Sequence, residues 1–162
     1  MYIINIAFLS LKVRKVYIKK CLSTTKQEVL TMNIGLIAHD NKKKLMQNFC
    51  IAYRGILAKN ELYATGTTGR LIEEVTNLNI HKFLAGHLGG EQQLSAQIEH
   101  NTIDLVIFLR DPINSKSHEP NVHEIVRLCD LHNIPIATNL ATAELLIKAL
   151  DRGDLEWREF YK

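Results

Sequence analysis

Apolar residues gather in five short runs along the chain: "NIGLIAH" (33–39), "ELYAT" (61–65), "HKFLAG" (81–86), "DLVIFLR" (104–110) and "IPIATN" (134–139). The runs are mostly continuous rather than alternating, which is the pattern of strands covered on both faces. Between them, apolar positions recur at helical spacing: Leu45, Phe49, Ala52 and Ile56; Leu71, Val75 and Leu78; Leu94 and Ile98; Ile125, Leu128 and Leu131; Leu145, Ile147 and Leu150. Strand and helix in regular succession predict an α/β fold, a parallel sheet with helices on both sides and right-handed crossovers. One stretch breaks the rhythm. "DPINSKSHEPN" (111–121) holds Pro112 and Pro120 and no core-like pattern before a helix expected to start near Val122, and loops of this length in a small α/β domain tend to carry function.

With 162 residues, the chain has room for one domain with a single core. Its formal charge of +3 is unevenly spread: residues 1–31 hold six Lys/Arg against Glu28 alone, and residues 32–162 hold 14 basic against 16 acidic side chains. The folded part is therefore close to neutral and offers no basic face for nucleic acid beyond Lys42, Lys43 and Lys44. Cys21, Cys50 and Cys129 are odd in number and widely spaced, which fits neither a disulfide framework nor a zinc site and points to a reducing cytoplasm. "YIINIAFLSL" is too short to span a membrane and lacks the flanks of a signal peptide. Met32 stands directly before the first clean strand. Residues 1–31 are therefore set apart as an N-terminal extension, disordered or not native, and residues 32–162 as the single domain.

In an open α/β sheet, ligands bind beyond the carboxyl ends of the strands, so the residues after each run test for a site. The first run is followed by His39 and Asp40 with Lys43 one turn on, and the second by Thr65, Gly66, Thr67, Thr68 and Gly69. The third is followed by Gly86, Gly89, Gly90 and Glu91, the fourth by Asp111 and the loop bearing His118, and the fifth by Thr138 and Asn139. Each group also has a plain structural reading. The threonines can cap a helix, as can Asp40; Glu91 can suit a helix dipole; Asp111 before Pro112 can form a turn; His39 can be a satisfied core residue. Together they compose a phosphate cradle at a helix N-terminus, where amides, glycines and hydroxyls meet an anion, with Lys43 as a cation, a carboxylate at a glycine-opened turn and a histidine on a long loop. That set suits abstraction of a proton next to a carbonyl in a phosphorylated substrate. No P-loop or GxGxxG fingerprint is present, no serine or cysteine lies in a nucleophile motif with histidine, and no spacing resembles HExxH or an EF-hand loop, so no metal is expected.

"GLIAHDNKKK", "LYATGTTGRLIEE", "GGEQQ", "LVIFLRDP", "HEP" and "RLCDLHNIPIATNLATAELLI" together resemble the methylglyoxal synthase family over residues 33–158. The resemblance implies a three-layer Rossmann-like domain with a central five-stranded, mostly parallel sheet. It also implies a bacterial cytoplasmic lyase that converts dihydroxyacetone phosphate to methylglyoxal and inorganic phosphate without metal or organic cofactor, as a homo-oligomer, usually a hexamer. By position, it implies that Lys43, Thr65, Gly66, Thr67 and Thr68 hold the phosphate, with Ala85 and Gly86 closing around it. His39 contacts substrate near Asp40, His118 polarises the ketone oxygen, Glu91 takes the proton and Asp111 shares the pocket. Four positions depart from the family pattern: Ala85 stands for a serine, His87 for a proline, Glu91 for the aspartate base and Asn121 for a further aspartate. The same fold also serves regulatory domains that bind effectors without chemistry, so a phosphometabolite-sensing module is the alternative.

Overall fold

Leu105–Leu109 carries five consecutive buried side chains, and their alternation divides the core in two. Leu105, Ile107 and Leu109 face one hydrophobic cluster; Val106 and Phe108 face the other. A strand with apolar groups on both sides is stable only between two layers of helices, and this strand (β4) lies inside the sheet, paired on both edges. The computed structural model describes residues 30–113 and 121–162. His118 and residues 1–29 of the expected extension lie outside the described residues. Met32, the expected start of the domain, is buried, and its amide donates to Asn60 Oδ1 at 3.0 Å.

The other strands are β1 (Asn33–Ala38), β2 (Glu61–Ala64), β3 (His81–Lys82) and β5 (Ile136–Ala137). They form one sheet in the order β3-β2-β1-β4-β5, and every pairing is parallel. The helices are α1 (Lys43–Ala52), α2 (Arg54–Leu57), α3 (Gly66–Thr76), α4 (Gly90–Glu99), α5 (Val122–Leu131) and α6 (Leu140–Asp151). Side chains of α1, α3 and α6 share the cluster on one face of the sheet; those of α4 and α5 share the cluster on the other. The chain runs outward from β1 to β3, then crosses to β4 and β5, so its direction reverses between β1 and β4. In doubly wound sheets such a reversal opens a crevice at the carboxyl ends. Among the described residues no helix is long and apolar enough to cross a membrane.

All five strand runs and the helices between them are present, but several helix faces differ from the sequence reading. Val75, Leu131 and Leu145 are exposed. In α3 the buried stripe is Gly66, Thr68, Gly69, Ile72 and Thr76. Its threonines turn inward because Thr68 shares a hydrogen bond with Thr65 and Thr76 Oγ1 donates to the Ile72 carbonyl at 2.7 Å. Satisfied hydroxyls thus occupy core positions that an apolar pattern assigns to leucine and valine. Ile56 belongs to a separate turn, α2, whose buried residue is Leu57. Asparagines in left-handed conformation follow three helices, at Asn77, Asn101 and Asn133, a role that asparagine fills with little strain.

Candidate active site

Parallel pairing brings the carboxyl ends of all five strands to one edge of the sheet. Because β2, β1 and β4 are neighbours, with Leu36 opposite Ala64 and Ala38 opposite Leu109, the residues that follow them stand side by side. Thr65, His39 and Asp111 are all buried there.

Thr65 occupies the N-cap position of α3 with extended backbone, yet its side chain makes no capping bond. Its hydroxyl instead meets that of Thr68 at 3.3 Å. The plain-cap reading of the threonine turn therefore fails on geometry. The first three amides of a helix have no carbonyl four residues back. Gly69 N–H makes the first helical bond, to Thr65 O, and Gly66 N–H donates to Leu84 O at 3.0 Å. The amides of Thr67 and Thr68 thus top the helix beside two hydroxyls, at its positive end, where an anion is stabilised.

Two glycines tie this turn to the next one. A Cβ on Gly66 would lie 2.8 Å from Phe83 O, and one on Gly90 only 1.7 Å from Leu84 O. The Phe83–Ala85 segment is therefore pinched between the N-termini of α3 and α4, and no side chain fits at either contact. Gly89, with φ of +96°, makes the left-handed turn into α4. Glu91 follows in its first turn, half-buried. The threonine turn and the glutamate turn are thus both packed against the Leu84–Ala85 backbone. Ala85 precedes the short 3-10 turn Gly86–Leu88, and a Cβ on Gly86 would meet nothing within 4 Å, so the backbone there faces open space.

At the crevice between β1 and β4, His39 packs edge-on against Phe108, ring centroids 5.2 Å apart. Its Nδ1 accepts the backbone N–H of Asp111 at 3.0 Å. A nitrogen that accepts from an amide carries no proton, so the neutral ring bears its proton on Nε2. The Asp111 carboxylate accepts from Ile113 N–H at 3.0 Å through Oδ1 and from Asn41 Nδ2 at 2.9 Å through Oδ2. The first of these closes a turn across Pro112, the turn-forming role weighed for Asp111 from its sequence position. Asn41 was missed: the signal was a polar residue directly after a strand-end His-Asp pair, hidden beside the lysine run. Asp40 accepts from Lys43 Nζ at 2.6 Å, a half-exposed pair that uses one of the three donors of the ammonium.

Glu91 Oε1 accepts the backbone N–H of Asn121 at 2.6 Å, while Asn121 Oδ1 caps α5 by accepting from His123 N–H at 3.0 Å. The glutamate is thus anchored to the start of α5. Asn139 proves to be a helix cap, its Oδ1 accepting from Thr142 N–H at 3.0 Å, so the end of β5 contributes structure. Of the residues expected in the site, His39 and Asp111 form one hydrogen-bonded group with Asn41, and Asp40 pairs with Lys43. Thr65–Thr68, Ala85, Gly86 and Glu91 form a second, joined through the Phe83–Ala85 segment, and Asn121 is bonded to Glu91. His118 falls outside the described residues.

A family model described as an MGS-like domain matches residues 49–138. Methylglyoxal synthase of Caldicellulosiruptor saccharolyticus is 67% identical over 128 residues, covering 79% of this chain and 91% of that protein. This chain belongs to the methylglyoxal synthase family. Methylglyoxal synthase of Alkaliphilus metalliredigens is 60% identical over 131 residues, covering 81% of this chain and 98% of its own. The crystal structure of methylglyoxal synthase from Elizabethkingia anophelis superposes with a TM-score of 0.70 at 40% identity, covering 72% of this chain and 77% of that one. The lyase class expected from the motifs, acting on a phosphorylated compound, stands on that membership.

Proposed function

We propose that the chain converts dihydroxyacetone phosphate to methylglyoxal and inorganic phosphate. The observation that carries this reading is the double turn around Phe83–Ala85, which places a threonine-lined helix N-terminus and the Glu91 helix turn against the same short segment. In the reaction the phosphate sits on the Thr67 and Thr68 amides and the Thr65 and Thr68 hydroxyls, with Lys43 as counter-charge and Ala85 and Gly86 lining the seat. Glu91 removes a proton from the hydroxyl-bearing carbon, and the electron pair moves to the ketone oxygen as an enediolate. His39 Nε2–H and His118 supply hydrogen bonds to substrate oxygens, His118 to the enediolate. The hydroxyl of that carbon then gives up its proton and its electron pair forms the aldehyde C=O, the double bond shifts to the phosphate-bearing carbon, and the C–O bond breaks with its electron pair leaving on phosphate; the enol left behind takes a proton at its new methylene to become the methyl group of methylglyoxal.

A glutamate base reaches one methylene further than an aspartate, and Asn121 fits that reach: its amide donates to the carboxylate, and its side chain caps α5. Asp40 holds Lys43 at the mouth of the crevice, and Asp111 acts through His39. We place the enzyme in the cytoplasm, in keeping with the free, buried Cys50 and Cys129, and as a homo-oligomer, which would cover exposed apolar residues such as Leu131 and Leu145.

Purified protein incubated with dihydroxyacetone phosphate, with the dicarbonyl trapped as it forms, tests the reading. Product from the native chain and none above background from Glu91→Gln is the expected result. Equal signals from both would leave a phosphometabolite sensor as the better account. Millimolar inorganic phosphate is expected to compete with substrate, because the seat recognises the group and not the triose.

A further inference from the structure

We infer that Asn41 is a positioning residue that fixes the proton of His39 on Nε2 through Asp111. The inference rests on the proposed lyase reading for its kinetic part only. Two hydrogen bonds carry it: Asn41 Nδ2 to Asp111 Oδ2 at 2.9 Å, and Asp111 N–H to His39 Nδ1 at 3.0 Å. The same residue therefore receives a donor on its side chain and gives one from its backbone, and the two are coupled by a tight turn in which Asp111 Oδ1 accepts from Ile113 N–H.

A carboxylate beside an imidazole ordinarily takes an N–H from the ring. If the Asp111 carboxylate swung toward His39, the ring would move its proton to Nδ1 and present Nε2 as an acceptor, useless for donating to an enediolate or phosphate oxygen. The amide of Asn41 is a pure donor at Nδ2, and it holds Oδ2 on its own side, so that the backbone N–H of Asp111 is what the ring meets. His39 itself is fixed by burial against Phe108 and by its own amide, which donates to Leu109 O at 3.1 Å. With ring and turn both fixed, the bond from Asn41 keeps the Asp111 carboxylate off the ring nitrogen that the Asp111 amide meets. Asn41 is exposed, so its replacement leaves the core intact.

Asn41→Ala and Asn41→Asp separate this role from a steric one. The aspartate has the same shape but offers only acceptors, and it faces another carboxylate. Both variants are expected to lower kcat about 10- to 100-fold, the usual cost of losing a residue that orients another, with KM little changed and with Asn41→Asp at least as impaired as Asn41→Ala. Nitrogen chemical shifts of the His39 ring should report a pure Nε2–H form in the native protein and a shift toward Nδ1–H or mixed forms in both variants. Asn41→Asp behaving as the native chain, or unchanged ring shifts in both variants, would overturn the inference. Should the native protein make no methylglyoxal, the lyase reading fails, and the ring shifts alone decide this one.

Discussion

The two edges of the sheet are made from similar side chains and end in opposite conditions. At the carboxyl edge, Asp40 pairs with Lys43, and Asp111 and Glu91 accept from the backbone amides of Ile113 and Asn121. At the amino edge, Arg158 and Asp104 are both fully buried, Nε to Oδ1 at 3.9 Å, and Lys162 Nζ reaches Asp104 Oδ2 at 3.1 Å. The Arg158 guanidinium also donates to the carbonyls of His132 and Ile103 and to Asn101 Oδ1, and Asp104 accepts from Asn33 N–H. Burial pushes the Arg158 guanidinium down from its ordinary value, while Asp104 opposes the shift. This cluster sews the C-terminal 3-10 turn, Glu156–Phe160, to the starts of β1 and β4. Charge turned inward onto the chain's own carbonyls holds the chain together; charge gathered at a glycine-opened mouth is available to a ligand.

The strongest test of the contrast is a pair of isosteric amide substitutions, one at each edge. Glu91→Gln should cut kcat about 10²- to 10⁴-fold, the range expected on losing a general base, and leave the denaturant midpoint where it was. Asp104→Asn should do the reverse. It leaves Arg158 buried with its carboxylate partner neutralised, at a cost of about 3–5 kcal/mol, read from chemical denaturation at fixed protein concentration, with kcat of the folded fraction unchanged. If Asp104→Asn were silent in stability, or if it abolished turnover in protein that is still folded, the division between the edges would be wrong.

The sheet was legible because continuous apolar runs are a direct consequence of burial on both faces, and β4 shows why: every one of its five residues is buried. The carboxyl-edge residues were legible for the same reason, since a parallel sheet places whatever follows each strand at one edge. Side-chain partners were not. Nothing in "HDN" says that Asn41 reaches Asp111 70 residues away, and nothing in "IDLVIF" separates Asp104, which ties two strands to the C-terminus, from an ordinary strand-end acid. Helix faces were misread where a hydroxyl satisfied by a nearby carbonyl or hydroxyl took an inward position, as Thr68 and Thr76 do. The short extent of β3 and β5 was also beyond reach, and the 81–86 run, read as covered on both faces, holds the exposed His81, Lys82 and Leu84.

A smaller effect sharpens the contrast within the carboxyl edge itself. Gly90→Ala puts a methyl group 1.7 Å from the Leu84 carbonyl oxygen, and backbone has no rotamer with which to yield. About 1–3 kcal/mol of stability should be lost to overpacking, and turnover with it, because Glu91 is the next residue. Gly86→Ala, four positions earlier with nothing within 4 Å, should move stability by less than about 0.5 kcal/mol. Thermal melts of the two variants side by side measure the difference. Equal losses would mean that the loop gives way as a whole and that the pinch around Phe83–Ala85 is not rigid.

The smallest effect concerns the two buried thiols. Cys50 in α1 and Cys129 in α5 lie in opposite layers of the core, and burial pushes each thiol up to about 12; at Cys129, Asp130 adds to the rise and Arg158 opposes it. A raised value means that the folded chain holds the thiol proton more tightly than the unfolded chain does. The resulting stability is fully present below about pH 9 and is lost as pH climbs toward 12. Between pH 9 and 10 the loss should be about 1 kcal/mol per thiol, since one unit corresponds to 1.36 kcal/mol. Replacing Cys50 and Cys129 with alanine and valine lowers stability at every pH through lost packing, but it should flatten the alkaline slope of the denaturation midpoint. An unchanged slope would show that other groups govern alkaline unfolding. It would also show that a buried thiol, unlike the buried Arg158–Asp104 pair, leaves no mark on how this fold responds to pH.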